Sequence, residues 1–269
     1  MNIFVSDLHI HTSFSDGLHS MEENVQSAIK KGMTGIGFSD HTYTPFDLTY
    51  CMTQEKEQAY LPALQQVKKQ FEGQIEVYLG LEFDGFSKFN NQAVFDYIIG
   101  SCHYTREGDI FRSVDEGKDY QQETIRLYHH GDSVHYAKKY FEDYLTCIDN
   151  TKPDILGHLD LVVLFDNIDE ESPVYRNAAK ETMVAALEKV EIFELNTRSF
   201  IRRQRKIPYP SEELLKVALE HHGKVILSSD SHHKDTLMNY FDDAKEILRR
   251  VGFKEVMVYG NHQFHEVGL

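Results

Sequence analysis

The strongest constraint on the fold of this chain is the regular alternation of short β-rich runs with helical segments along nearly its whole length. Strands are predicted at residues 3–6, 35–39, 76–81, 97–101, 155–158, 192–195, 224–228 and 255–258. Helices are predicted from a capping-box sequence at Ser20 to a stop at Gly32, and over 53–71, 173–189, 211–222 and 239–251. This alternation is typical of a parallel α/β sheet, either closed into a barrel or doubly wound.

The active sites of such folds lie at the carboxyl ends of the strands. In this chain, six predicted strands end in histidine or carboxylate residues: His9 and His11; Asp40 and His41; Glu82 and Asp84; His103; His158 and Asp160; Asp230, His232 and His233. His9 and His11 are two residues apart, so both rings face the same side of an extended segment. A single buried histidine is usually a hydrogen-bonded core residue. Burying this many polar groups is costly unless each has a partner, and divalent metal ions would satisfy them together.

The charge balance argues against a nucleic-acid duplex as a partner. The chain has 28 basic and 43 acidic residues and a formal net charge of −15, whereas binding to a nucleic-acid duplex usually needs a basic surface. A small phosphorylated substrate is compatible with this charge, because bound divalent cations reverse the local sign of a carboxylate-rich site. The three cysteines are too few and too widely spaced for a disulfide framework or a CxxC metal motif.

Nothing in the sequence indicates a membrane partner. No apolar run approaches the ~18 residues that span a bilayer. The first residues lack the basic and apolar regions of a signal peptide. A cytoplasmic location is therefore expected, and the sequence leaves the oligomeric state open.

The ordered set of strand-end motifs resembles the polymerase and histidinol phosphatase (PHP) superfamily. The shared pattern is HxHTxxSDG, SDH, a strand-end glutamate, SxH, GH and SDSH, and it covers the chain from Asp7 to His232. The length of 269 residues and the segment Asn196-Thr197-Arg198 further resemble the histidinol-phosphate phosphatases of this type. The resemblance implies a distorted (β/α)7 barrel, here one domain over 1–269, with a trinuclear metal centre. We interpret the polar segment 104–147, which interrupts the alternation, as a helical insertion or lid.

The resemblance also implies which residues bind metal. A first ion would be bound by His9, His11, Glu82 and Asp230, a second by Glu82, His103 and His158, and a third by Asp16, His41 and His232. Imidazole and carboxylate ligands suit two or three ions of manganese, zinc or iron, and a shared carboxylate fits the usual spacing of two-metal sites. Asp16 has an alternative role, which is to cap the turn at Gly17. Asp7 and Asp40 are expected to orient the ligands beside them.

The implied reaction is hydrolysis of a phosphate monoester, in the first place L-histidinol phosphate, to histidinol and inorganic phosphate. Metal ions lower the pKa of bound water toward ~7 and so provide hydroxide at neutral pH. Arg198, which follows the predicted strand at 192–195, is the candidate phosphate clamp, because a guanidinium fork matches phosphoryl oxygens. His232 is also expected to contact the substrate, and either Asp230 or a neighbouring group would protonate the leaving group. A basic cluster that would attract anions follows at Arg202, Arg203, Arg205 and Lys206.

One stretch departs from the histidinol-phosphate phosphatases, in which an arginine usually follows the GH motif. Residues 161–165 read LVVLF here, so a second phosphate contact is either missing or supplied elsewhere. The main alternative is therefore a PHP-type phosphoesterase for another sugar phosphate or a nucleotide. Two further alternatives are an amidohydrolase-type C–N hydrolase, which would need a bridging lysine that no strand end provides, and a non-catalytic metal-binding module.

Overall fold

The computed structural model describes residues 5–89, 92–202 and 207–269. Its strands are β1 (Ser6–Asp7), β2 (Gly35–Phe38), β3 (Glu76–Asp84), β4 (Tyr97–Ser101), β5 (Tyr104–Glu107), β6 (Ile110–Ser113), β7 (Ile155–Leu156), β8 (Ile192–Asn196), β9 (Lys224–Ser228), β10 (Glu255–Gly260) and β11 (Gln263–Gly268). Its α-helices are α1 (Met21–Lys30), α2 (Gln54–Gln70), α3 (Lys118–Tyr128), α4 (Ser133–Thr151), α5 (Pro173–Leu187), α6 (Arg198–Arg202), α7 (Glu212–Glu220) and α8 (Phe241–Val251). The first two residues of the predicted strand at 3–6 lie outside these ranges. Within them, no helix has the length and apolar character needed to cross a membrane.

The main sheet has the strand order β1-β2-β3-β4-β7-β8-β9-β10-β11. Its strands run parallel from β1 to β10, and β11 pairs antiparallel with β10. The sheet curls until the residues after β1 meet those after β9, where Ile10 pairs with Ser231. The His11 amide donates to the Ser231 carbonyl at 2.8 Å, and the Ser231 amide donates to the His9 carbonyl at 3.0 Å. This contact joins the ends of β1 and β9, the first and seventh parallel strands in this order, and the curled parallel sheet confirms the predicted distorted (β/α)7 barrel.

Local sequence signals set the ends of several elements. Ser20 caps α1 by accepting from the Glu23 amide, while the Glu23 carboxylate accepts from the Ser20 amide, so the predicted capping box is present. The predicted stop, Gly32, has a φ of +74°, a conformation that favours glycine. β3 is longer than predicted because its pairing with β4 continues as far as Asp84. Glu82 therefore lies inside a strand.

The segment 104–147 contains a β-hairpin as well as helices. β5 and β6 pair antiparallel around a turn in which Gly108 has a φ of +68°. Phe111 on the hairpin stacks on Phe46, with ring centroids 4.1 Å apart, and so joins the hairpin to the loop after β2. α3 and α4 follow, and α4 packs against α5 and β4. The hairpin was not predicted because its strands are short and largely polar.

An apolar floor fills the barrel below the strand ends. It consists of Leu8, Tyr78, Tyr97, Ile99, Ile155, Ile192, Ile226, Met257 and Tyr259. Gly80 makes room for the largest of these side chains, because a Cβ at this position would lie 2.1 Å from a ring carbon of Tyr97. The polar residues at the carboxyl ends of the strands therefore lie on a closely packed apolar base.

Candidate metal centre

Glu82 on β3 lies at the centre of the polar layer. Its side chain is fully buried, and histidine rings from the ends of neighbouring strands surround its carboxylate. The nitrogen–oxygen distances are 3.2 Å for His9, 3.5 Å for His11, 2.9 Å for His41, 3.6 Å for His103 and 3.2 Å for His158. Ser101 also donates a hydrogen bond to Glu82 at 2.6 Å. The ends of β1, β2, β4 and β7 thus meet at one carboxylate.

The predicted metal ligands lie in two adjoining groups. The inner group is His9, His11, Glu82, His103, His158 and Asp230; the outer group is Asp16, His41 and His232. Candidate ligand atoms of His9, His11 and Asp230 lie within 4.8 Å of one another. In the outer group, His232 Nε2 lies 2.9 Å from an Asp16 oxygen. His11 also clusters with the outer group, and His41 also clusters with Glu82 and His103. The structure brings all the predicted ligands together, while their division among individual ions stays a prediction.

Unpaired buried atoms show that this layer fits metal ions. His9 Nε2, both ring nitrogens of His11 and Glu82 Oε2 are buried without a hydrogen-bond partner in the described part of the chain. A buried polar atom that is left unpaired costs roughly 1–3 kcal/mol. Imidazole nitrogen and carboxylate oxygen are ligands for zinc, manganese and iron. Divalent cations would therefore use atoms that face one another closely but form no hydrogen bond in the described part of the chain.

The electrostatics of the layer favour the same ligands. Burial would raise the pKa of Glu82, but the surrounding histidines hold it well below its usual value. The pKa of Asp230 is also held well below its usual value despite its burial, chiefly by His9. Burial and the neighbouring ring of His232 lower the pKa of His11 to about 3. At neutral pH the carboxylates are therefore ionised and His11 is neutral, which are the forms that bind metal.

Two further aspartates hold the loops around these ligands. Asp40 accepts hydrogen bonds from the amide and the hydroxyl of Thr12, both at 2.8 Å, and from the hydroxyl of Ser15 at 2.6 Å. It thereby fixes the loop that carries Asp16. Asp7 accepts from two backbone amides across the barrel closure, at 3.2 and 3.0 Å. Both aspartates are fully buried, and each binds the loop backbone near the predicted ligands.

Two carboxylates behind the histidines were given no role by the sequence reasoning. Glu194, within β8, lies 2.8 Å from Nδ1 of His9. Asp84, at the end of β3, lies 3.2 Å from Nδ1 of His103 and accepts from its amide at 2.9 Å. Both side chains are buried. A signal for Glu194 was present in the sequence, since it is an acidic residue within an otherwise apolar strand.

A cavity of about 290 Å³ opens outward from the metal-binding residues. Arg198, at the start of α6, lines it and donates to the Asp230 carbonyl at 2.7 Å, and its guanidinium also contacts the His232 ring. The cavity is also lined by Asp47, Tyr50, Asp115, Glu116, Leu161, Leu164 and Tyr209. Among the described residues, Arg198 is the only arginine or lysine that lines it.

The predicted basic cluster after Arg198 is only partly visible. Arg202 is the last residue of α6. Arg203, Arg205 and Lys206 lie outside the described residues. The described part of the cavity therefore offers one guanidinium to an anion, and residues 161–165, where related phosphatases usually carry a second arginine, contribute the apolar side chains of Leu161 and Leu164.

Residues 7–198 match the family described as the PHP domain. The chain belongs to this family. It is 28% identical over 264 residues to a protein of Deinococcus radiodurans named "Probable histidinol-phosphatase", a match that covers 93% of this chain and 95% of that protein. The histidinol-phosphatase of Bacillus subtilis is 25% identical over 179 residues, which cover 59% of this chain and 67% of the relative.

A solved structure has the same fold. It is the histidinol phosphate phosphatase of Lactococcus lactis, complexed with zinc, L-histidinol and phosphate. The TM-score is 0.71 at 23% identity, and the match covers 97% of this chain and 98% of the other. Family membership, these relatives and the metal-binding layer together identify the chain as a metal-dependent phosphatase of the PHP family, with divalent metal ions as its cofactors.

Proposed function

We propose that the protein hydrolyses L-histidinol phosphate to L-histidinol and inorganic phosphate. The observation that carries this proposal is the cavity, which is lined by residues of the metal-binding layer, by Arg198 and by the further acidic side chains of Asp47, Asp115 and Glu116. A phosphate monoester with a cationic alcohol part would match both. The relatives that are named for histidinol phosphate support the same substrate.

The inner and outer groups would hold two or three divalent ions, and Glu82 would be shared between the first two. Zinc, manganese and iron all suit these ligands. Bound divalent ions would act as Lewis acids that lower the pKa of water and offset the charge of the phosphoryl group. The protein contributes the shape and polarity of the cavity, and the groups that bind phosphate and move protons.

Arg198, His232 and Asp230 would perform the remaining steps. A guanidinium beside the metal-binding layer binds phosphoryl oxygens through charge-assisted hydrogen bonds, and His232 lines the cavity next to Arg198. Asp230 also lines the cavity, and its carboxylate would first accept the proton released by the attacking water. It would then pass that proton to the oxygen of the leaving alcohol.

The acidic residues on the cavity wall favour a cationic substrate. Asp47, Asp115 and Glu116 line the cavity, and partial burial together with the nearby charge of Asp47 raises the pKa of Glu116. A ligand cation placed there would relieve the repulsion between these carboxylates. The alcohol part of histidinol phosphate carries an amino group and an imidazole. The alcohol parts of simple sugar phosphates and of nucleotides carry no amino cation at neutral pH.

Steady-state kinetics with the metal-loaded protein test this substrate. We expect kcat/KM for L-histidinol phosphate to exceed that for ribose 5-phosphate, AMP and p-nitrophenyl phosphate by at least about 100-fold. Glu116→Gln should reduce this preference without slowing p-nitrophenyl phosphate, whereas Arg198→Ala should slow every substrate. If histidinol phosphate is turned over no better than p-nitrophenyl phosphate, the substrate assignment is wrong.

A further inference from the structure

Glu194 is a buried carboxylate that the proposed chemistry does not use. It lies in the middle of β8 and is 1% exposed. Its Oε2 atom lies 2.8 Å from Nδ1 of His9. Its Oε1 atom accepts hydrogen bonds from the amide of His158 at 2.7 Å and from the side-chain amide of Asn196 at 3.0 Å. One side chain therefore connects predicted metal ligands that follow two other strands, β1 and β7.

The contact with His9 determines which nitrogen of that ring is available to a metal. An ionised carboxylate can only accept hydrogen bonds, so in the neutral ring Nδ1 must carry the hydrogen and Nε2 the lone pair. Nε2 faces Glu82 at 3.2 Å and Asp230 at 3.9 Å. It forms no hydrogen bond with any residue that the structure describes. The lone pair of His9 thus faces the other predicted ligands of the first ion.

The contact with His158 acts on the backbone. Glu194 accepts from the His158 amide directly after β7, a strand of only two residues. The side chain of His158 then reaches Glu82 with its Nε2 atom at 3.2 Å. The hydrogen bond from Asn196 holds Glu194 in turn, and Asn196 also donates to the Asp230 carboxylate at 3.1 Å. This chain of contacts links ligands predicted for the first and second ions.

We propose that Glu194 is a positioning residue of the metal centre, which holds Nδ1 of His9 and the backbone at His158 so that both rings are oriented toward the other predicted ligands. The proposal rests on the metal centre described under Proposed function, but it concerns metal binding and not the substrate. Mutation of a carboxylate that holds the far nitrogen of a metal-binding histidine typically lowers metal affinity by about 10–100-fold.

Glu194→Gln tests the proposal because it keeps the size of the side chain but removes its charge and one of its two acceptor oxygens. One end of the amide becomes a donor. If the amide oxygen stays on the His158 amide, the NH2 group faces Nδ1 of His9. The proton of that ring must then move to Nε2, where it blocks metal binding. If the amide turns round, the NH2 group meets the His158 amide, and the backbone there is displaced.

The measurement is metal binding by the full chain, by equilibrium dialysis with Mn²⁺ and by the visible absorption spectrum of the Co²⁺ form. We expect Glu194→Gln to bind its tightest ion about 10–100-fold more weakly and to show an altered Co²⁺ spectrum. The matched control is Glu191→Gln, just before the same strand, where the side chain is exposed and contacts Lys224. It should bind metal as the unmodified protein does.

Glu194→Asp is the second variant and decides the matter if the glutamine variant does not fold. It keeps the charge but is one methylene shorter, so it cannot hold His9 and His158 together, and we expect weakened metal binding again. Unchanged affinity and an unchanged Co²⁺ spectrum in a folded variant, even with a lower melting temperature, would mean that Glu194 is only a structural link. Both readouts are independent of substrate turnover, so they stay informative if histidinol phosphate is not the substrate.

Discussion

The inner and outer groups of the metal centre are built from the same residue types but are held differently. The side chains of His9 and Glu82 in the inner group are fully buried, whereas Asp16 and His232 in the outer group are 29% and 16% exposed. Glu194 stands behind His9, while the guanidinium of Arg198 stands beside His232. A carboxylate partner makes a histidine a stronger ligand, and a neighbouring cation opposes metal binding. We therefore expect the inner group to retain its ions, and the outer group to hold a more exchangeable ion beside the proposed phosphate site.

The largest effect is expected from Glu82, the carboxylate that we propose the inner ions share. Glu82→Gln keeps the size of the side chain but removes the charge that all the surrounding histidines face. We expect the inner ions to bind far more weakly and kcat/KM to fall by at least about 10³-fold, as measured by metal analysis and steady-state kinetics. Full metal content in this variant would show that Glu82 is not the shared ligand.

A smaller effect, the difference in metal affinity between the inner and outer groups, tests the comparison directly. During dialysis against a weak chelator, we expect one ion to leave before the others, with an affinity lower by about tenfold or more. Asp16→Asn should lose the same ion and keep the inner ones, because its contacts are with His11, His41 and His232. Simultaneous loss of all ions in both experiments would contradict the difference between the groups.

The smallest effect concerns the stability of the metal-free protein as a function of pH. Burial would lower the pKa values of His103 and His158, but nearby carboxylates, Glu82 above all, raise them above the usual 6.5. A raised pKa stabilises the fold below the unfolded-state value, and this stabilisation is lost as the pH rises through the folded-state value. The metal-free protein should therefore become less stable as the pH rises above 6.5.

His232 in the outer group supplies the control for this loss of stability with rising pH. The pKa of His232 is lowered by burial and by Arg198, so its ring is neutral in both folded and unfolded chains above pH 6.5 and contributes nothing there. In thermal unfolding of the metal-free protein, His103→Gln should flatten the decline and His232→Gln should leave it unchanged. The opposite order, or a stability that rises with pH, would contradict the electrostatic difference between the groups.

The sequence predicted that the candidate ligands lie together because they occupy a position that the fold itself defines. His9, His41, His103 and His158 each follow a strand, and the carboxyl ends of parallel strands meet at one end of a barrel. No knowledge of pairing register was needed to bring them together. The same rule applied to Asp230, which follows β9 closely.

The residues that were missed depend on distances that strand position alone does not give. Glu194 lies inside a strand, and its role follows only from the 2.8 Å contact with His9 across 185 residues of sequence. His41 lies close both to the outer group and to Glu82 and His103. This position also depends on distances that the sequence does not give. The hairpin of β5 and β6 was missed for a different reason, since short polar strands show no apolar alternation.

The pairing of Ile10 with Ser231 has a consequence for how the protein is made. Asp16 and His232 face each other across 216 positions of sequence. At typical rates of synthesis of 5–20 residues per second, roughly ten to forty seconds pass between the emergence of one and of the other from the ribosome. Neither the closed barrel nor a complete outer group can exist on the nascent chain during that interval. The full set of predicted ligands is therefore available only after His232 has emerged, and a product truncated before β9 would lack both the barrel closure and Asp230.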